Sequence, residues 1–173
     1  YIPVYSDTPF APSSYSWSIA GPDISVSDYS FISGTDTSIS FPVVEFNSFK
    51  DYTIIINVDG DCENTSSDEF LLVINEIPTI TNTELTQTIC SDSFSDEVTL
   101  VSSIEAETTS YSWEVIADEN FISGYSTPNS GNVIPSEQLV NSCNLTKNVT
   151  YRVTPSTEDC TGTPKDFTVV VNP

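Results

Sequence analysis

The chain states one pattern twice. Tyr15, Phe31, Tyr52, Cys62, Phe70 and Pro78 recur as Tyr111, Phe121, Tyr151, Cys160, Phe167 and Pro173, at offsets of 96, 90, 99, 98, 97 and 95 residues. Short phrases travel with them: Tyr15-Ser16-Trp17 returns as Tyr111-Ser112-Trp113, and Phe31-Ile32-Ser33-Gly34 as Phe121-Ile122-Ser123-Gly124. Loop insertions between fixed strands leave offsets that drift by a few residues, so the sequence reads as a tandem of two domains of roughly 80–95 residues each. The boundary is expected at Glu76-Ile77-Pro78, giving domains 1–77 and 78–173.

Each half ends in two runs with period-2 alternation. Tyr52, Ile54 and Ile56 share one strand face and are answered by Phe70, Leu72 and Ile74; Val149, Tyr151 and Val153 are answered by Phe167, Val169 and Val171. The intervening segments, Asn57 to Glu69 and Pro155 to Asp166, are polar, rich in turn residues, and carry one cysteine each, which predicts hairpin loops. Tyr15 with Trp17, and Tyr111 with Trp113, stand two residues apart and so on one face of a strand, where large rings fill the space between two sheets. Earlier strands are expected at Val98 to Ser103 and at Tyr1 to Tyr5, and an apolar stretch at Ile39 to Phe46 answers Asn132 to Val140. The fold class is all-β: two tandem immunoglobulin-like β-sandwich domains arranged end to end, with Tyr15, Trp17, Tyr52, Tyr111, Trp113 and Tyr151 in their cores. The absence of Met and the wealth of Val, Ile, Thr and Ser favour pleated surfaces over helices. The Thr-rich link from Thr79 to Thr88 holds no Gly, which predicts a semi-rigid joint and repeats in line as a rod.

Net charge is -21, from 25 carboxylates against four bases, with 12 acids up to Ile77 and 13 after it. So even a spread is a solvation property of the whole surface. Four scattered bases cannot make the footprint that phosphate binding needs, so nucleic acid is not an expected partner. No apolar run is long enough to span a membrane. The sequence begins at Tyr1 without an initiator Met, which suggests a piece of a longer, processed product.

The chain contains no His, so a Ser-His or Cys-His nucleophile pair cannot form, and no glycine-rich phosphate loop precedes a helix; it is not expected to be an enzyme. Calcium is the one cofactor the residue types suggest. Asp59, Asp61 and Glu63 near the tip of the first domain, and Asp92, Asp96 and Glu97 near the expected junction, offer hard oxygen ligands, although neither set has the spacing of an EF-hand loop. Tyr5, Phe10, Tyr29 and Tyr125 could stack on sugars or close the core at strand ends. Three Asn-x-Ser/Thr triplets, at Asn64, Asn144 and Asn148, fit the acceptor pattern for N-glycosylation.

Of the four cysteines, Cys90 is expected to bridge Cys160, because in an immunoglobulin-like sandwich the start of the first strand and the loop between the last two strands share one end. The repeat arithmetic puts the partner of Cys62 about six residues before Tyr1, so the first domain reads as an N-terminally truncated copy. Cys143 has no counterpart. Disulfides imply an oxidising, exported location.

Residues 78–173 carry an ordered set of phrases: Ile89-Cys90, Tyr111-Ser112-Trp113, Ile122-Ser123-Gly124, Gly131-Asn132-Val133-Ile134-Pro135-Ser136, Val153-Thr154-Pro155, Cys160-Thr161-Gly162-Thr163-Pro164-Lys165, and Phe167 to Pro173. This set resembles the PKD-like, immunoglobulin-like repeats of very large Bacteroidetes surface proteins. The first half is a diverged copy, without the Gly-Asn-Val-Ile-Pro-Ser phrase or the Cys-Thr-Gly. The resemblance implies a cell-surface adhesin exported by type IX secretion, similar to SprB-like gliding-motility adhesins, in which many repeats build a filament. Neighbouring repeats of the same polypeptide are then the first partners, with surface polysaccharide or other surface proteins beyond them. Two rival functions remain open at this point: a carbohydrate- or protein-binding module that uses the loops at one sandwich end, and a spacer in a secreted enzyme.

Overall fold

A computed structural model describes residues 14–33, 43–59, 65–105, 108–126 and 129–173, and among them every regular element is a β-strand. The chain divides into two compact units, Tyr1–Asn75 and Glu76–Pro173. Pro78, which is fully buried, belongs to the second unit.

The first unit contains β1 (Ser14–Ala20), β2 (Tyr29–Ser33), β3 (Val43–Phe46), β4 (Asp51–Asp59) and β5 (Thr65–Val73). The main sheet has the order β1-β4-β5, all antiparallel, and β2 pairs with β3 in a second layer. Alternation on β4 sends Tyr52, Ile54 and Ile56 inward, opposite Leu72, Phe70 and Asp68 of β5. Trp17 packs with these three, and Phe46 crosses from the second layer to lie 4.5 Å from the Tyr52 ring. Tyr15 is only half-buried, beside Val58 near the end of the β1–β4 ladder. The β4 and β5 strands run further than their composition suggests, since Asp59 still pairs with Thr65. The expected strand at Tyr1 to Tyr5 lies outside the described residues.

The second unit contains β6 (Thr86–Cys90), β7 (Ser93–Phe94), β8 (Val98–Thr99), β9 (Ser110–Ala117), β10 (Ile122–Ser123), β11 (Asn129–Ser130), β12 (Val133–Ile134), β13 (Gln138–Asn141), β14 (Lys147–Ser156) and β15 (Lys165–Asn172). Five strands make one sheet in the order β11-β9-β14-β15-β6, faced by β10-β13-β7 and by β12-β8. Tyr111, Trp113, Val149, Tyr151, Val153, Phe167, Val169 and Val171 come from the large sheet; Ile122, Ile134 and Leu139 come from the opposite layer, and all are buried in one core. Among the described residues all pairings of this unit are antiparallel except one: β6 lies parallel to β15.

The shared Phe-Ile-Ser-Gly phrase does not keep its burial. Ile122 is 2% exposed, whereas Ile32 is 64% exposed, at the place where the β2–β3 register slips between Phe31 and Ser33. Gly124, at the end of the second copy, has φ +97° and its Cβ position would lie 2.0 Å from the Gln138 carbonyl oxygen, so only glycine fits there.

Candidate functional site

Two buried polar centres recur at related places. In the first unit the Asp28 carboxylate accepts hydrogen bonds from the Ser25 amide (2.7 Å), Ser25 Oγ (2.9 Å), Ser48 Oγ (2.6 Å) and Lys50 Nζ (3.0 Å). Ser48, the Ser25 amide and Lys50 together hold this carboxyl well below the usual carboxylate range. Tyr52 Oη donates to the carbonyls of Ser48 (2.9 Å) and Asp28 (3.2 Å), tying the same loop to the sheet.

In the second unit the equivalent tyrosine, Tyr151, donates instead to the buried Glu137 carboxylate, which also accepts from the Ser126 hydroxyl and, at 2.8 Å, from the Ser126 amide. Burial, and then the Glu137 bond, push the Tyr151 hydroxyl far above its ordinary pKa. Residues 90 and 97 positions beyond Asp28 and Lys50 repeat the ion pair: Lys147 Nζ lies 2.7 Å from Asp118 Oδ2 and 4.6 Å from the Phe121 ring centroid. Sequence reasoning treated these charges as solvated; the offsets were the signal that they form a repeated pair.

The remaining cations are also committed. Arg152 grips Asp166 with Nε (2.9 Å) and Nη2 (3.0 Å), and Lys165 Nζ donates to the carbonyls of Asn82 (2.9 Å) and Ile80 (3.1 Å). Thus all four Lys and Arg residues of the chain bind its own acceptors.

Of the acids singled out as calcium ligands, Asp92, Asp96 and Glu97 form no metal-binding set among the described residues. Among the described residues no three His, Cys, Asp or Glu side chains come together as a set that could hold a metal. Asp92 sits in the turn after β6 with φ 65°, where its amide donates to the Leu139 carbonyl and its Oδ1 accepts from Gln138 Nε2 at 3.0 Å. Asp96 is held by its backbone to the Gln87 side chain, and Glu97 is exposed. Asp59 accepts from Ser14 Oγ at 3.0 Å; Asp61 and Glu63 lie outside the described residues.

The expected Cys90–Cys160 bridge is absent, and both residues are free thiols. Cys90 ends β6 and stands opposite Asn172, the last residue of β15, while Cys160 precedes β15 in the loop that leads to Lys165. Seven strand residues at about 3.3 Å each put some 23 Å between the two ends, against about 7 Å allowed between the Cα atoms of a disulfide. The topological expectation, that the start of β6 and the β14–β15 loop share an end, describes Leu85 rather than Cys90. Cys143 is free, and Cys62 lies outside the described residues.

At that other end, the chain entering the unit is clamped. The Ile80–Ser102 bridge is flanked by bonds from the Thr81 amide to the Val101 carbonyl and from the Ser103 amide to the Thr79 carbonyl, each 2.9 Å. The Pro78 carbonyl is packed so close to Gly162 that a Cβ there would meet it at 1.9 Å. Of the aromatics that could stack on sugars, Tyr125 is half-buried against the second unit's core, Tyr29 is half-buried with its ring edge-on to the exposed Phe31, and Tyr5 and Phe10 lie outside the described residues.

Residues 87–173 match the family model of the PKD-like domain, half of the chain. The chain belongs to the PKD-like domain family. Among solved structures, this PKD-like chain is similar to the fibronectin(III)-like modules of Clostridium thermocellum CbhA, with 12% identity, a TM-score of 0.34, and coverage of 97% of this chain and 82% of that one. It is also similar to human protocadherin-24 EC1-2, with 14% identity, a TM-score of 0.39, and coverage of 92% and 82%. No curated protein matches the PKD-like chain.

Proposed function

We propose that this PKD-like chain is a force-bearing repeat segment of an extracellular surface adhesin, working as a stalk rather than as a catalyst. What supports the reading is the parallel pairing of β6 with β15, from Thr86 opposite Thr168 to Cys90 opposite Asn172. Tension enters the second unit before β6 and leaves after β15, so it drives the two strands in opposite directions along their shared ladder. The Thr168 amide donates to the Leu85 carbonyl and the Ser91 amide to the Asn172 carbonyl, both at 2.8 Å, so the ladder extends beyond both ends of β6. Its bonds lie across the pull and must fail together, whereas a hairpin pulled from its open end would lose them one by one. The finer setting we propose, on the resemblance of residues 78–173 to Bacteroidetes repeats, is an adhesin of gliding cells exported by type IX secretion.

Pulling the chain by its two ends in a single-molecule force instrument tests this. Bonds at Leu85 and Ser91 make the odd-numbered residues of β6 the ones that face β15, so Gln87→Pro removes a ladder donor. The variant is expected to lower the rupture force of the second unit by more than its loss of thermal stability accounts for. An unchanged rupture force would show that load bypasses this ladder.

A second reading, a binding module, has one observation in its favour. Phe121 and Leu145 are 40% and 67% exposed on neighbouring loops joined by the Ser142 amide, which donates to the Phe121 carbonyl at 2.9 Å. Phe121→Ser with Leu145→Ser would abolish capture of surface polysaccharide or protein under that reading, and leave the rupture force intact.

A further inference from the structure

The outer face of the second unit's large sheet holds a shallow basin of about 380 Å³, lined by Ser112, Trp113 and Glu114 of β9, Arg152 and Thr154 of β14, and Pro164. Its volume falls in the range of ligand clefts, about 300–1,000 Å³. The register builds it: Ser112 stands opposite Thr154, and Glu114 opposite Arg152, which on its other side stands opposite Asp166. Alternation buries the intervening Trp113 and Val153 and turns these polar side chains outward. Several of their hydrogen-bonding groups are uncommitted. Arg152 engages Asp166 through Nε and Nη2, while its Nη1 lies 3.8 Å from Glu114 Oε1, beyond hydrogen-bond reach. Among the described residues the Ser112 and Thr154 hydroxyls form no hydrogen bond.

We propose that this basin binds a short stretch of a neutral polysaccharide. The donor and acceptor set selects that class. Neighbouring hydroxyls of a sugar each donate and accept, and the basin offers a guanidinium donor, the Glu114 acceptor and two hydroxyls that do both, at adjacent register positions. An anionic ligand is disfavoured, because Arg152 stands between Glu114 and Asp166 and the local charge is negative. A simple cation is not matched either, since both carboxylates already face the guanidinium. The exposed Pro164 supplies a small apolar ring at the rim, against which the C–H face of a pyranose can lie.

The first unit provides an internal contrast. The side chains between the buried Tyr52, Ile54 and Ile56 of β4 are Thr53, Ile55 and Asn57, so its equivalent sheet face has no guanidinium. Binding is therefore a property of the second unit. It is also independent of the force-bearing reading, which rests on the β6–β15 edge and not on the outer face of β9 and β14.

The test is an amide-resolved NMR titration of the full chain with cellohexaose, laminarihexaose, maltohexaose and mannohexaose, and with hexagalacturonate as the anionic comparison. At least one neutral hexasaccharide is expected to shift the amides of Ser112, Trp113, Glu114, Arg152 and Thr154, and to leave those of β4 in place. Arg152→Met is expected to weaken that binding at least about tenfold and Thr154→Val about threefold or more, the losses that follow from a charged and a neutral hydrogen bond. Unchanged shifts of Val149, Tyr151 and Val153 in the free variants show that the core is intact. Three results would overturn the proposal: no shift at these residues with any neutral sugar, equal affinity in both variants, or a response to hexagalacturonate alone. Shifts confined to the loops of Phe121 and Leu145 would do the same, by placing the sugar site there. A rupture force unchanged by Gln87→Pro would sink the force-bearing reading and leave this titration unaffected.

Discussion

The carbonyl oxygen of Pro78 occupies the space that a side chain at Gly162 would need, since a Cβ there would lie 1.9 Å from it and 2.8 Å from Pro155 Cγ. The obstructing atom is backbone, held by the bonds of Thr79 and Thr81 to residues 101–103, so it cannot swing aside. The Cys-Thr-Gly phrase of the second half is therefore the floor of the chain's docking point.

Gly162→Ala is expected to destabilise the second unit by about 1–3 kcal/mol, in the range of overpacked sites, and to speed amide exchange at residues 79–82. Urea unfolding gives the first quantity and hydrogen exchange the second. A neutral effect on both would mean that the incoming segment can shift away without cost.

Trp113 is 4% exposed, yet its Nε1 has no hydrogen-bond partner among the described residues. The ring stabilises by filling the core and the buried donor costs some of that back. Trp113→Ala should therefore cost about 3–5 kcal/mol, while Trp113→Phe, which loses the donor and keeps a ring, should cost well under half as much. A cost below about 1 kcal/mol for the Ala variant would contradict a core role.

The two long hairpins were legible because Tyr52 to Ile56 on β4, Phe70 to Val73 on β5, and β14 with β15 alternate, and a one-residue slip would turn their core side chains outward. Of the two-residue strands, β8 lies inside the stretch expected at Val98 to Ser103, β12 inside Asn132 to Val140 and β10 inside the repeated Phe-Ile-Ser-Gly phrase, whereas β7 and β11 were not legible, since so short a segment carries no period. Cys90 was misplaced for a related reason. That Thr86–Cys90 ends level with Asn172 is a matter of register between two strands far apart in sequence, and no local pattern encodes it. The repeated ion pairs could have been found, because Asp28 with Lys50 and Asp118 with Lys147 keep offsets inside the repeat.

Asp28 makes the first unit sensitive to acid. Its carboxyl is held below the usual range in the folded state by Ser48, the Ser25 amide and Lys50, so the unfolded chain takes up a proton first as pH falls. Its contribution is fully present above the unfolded carboxylate pKa of about 4 and is lost progressively below it. In a Trp113→Phe background, Trp17 fluorescence reports this unit alone. Its melting temperature should fall between pH 4 and 2, and Asp28→Asn should lower it at pH 7 while flattening that fall. An Asn variant with the same acid slope as the parent would remove Asp28 as the cause.

The second unit has the opposite sensitivity, through Tyr151. Its folded pKa is raised by burial and by the Glu137 carboxylate, so the neutral hydroxyl is the form the folded state keeps. The stabilisation is complete below the unfolded tyrosine pKa of about 10 and is lost as pH rises above it, because the unfolded chain then gives up its proton while the folded unit does not. Tyr151→Phe deletes the titrating group and leaves Glu137 with the Ser126 donors only. Removing one partner of a buried carboxylate costs about 1–3 kcal/mol at pH 7. With Trp113 as the reporter in a Trp17→Phe background, the parent should lose stability between pH 10 and 11.5, and the Phe variant should lose distinctly less over the same range. Equal alkaline slopes would mean that the hydroxyl reaches water in the folded unit, and that the Tyr151–Glu137 bond does not hold β14 to the strand-β13 layer.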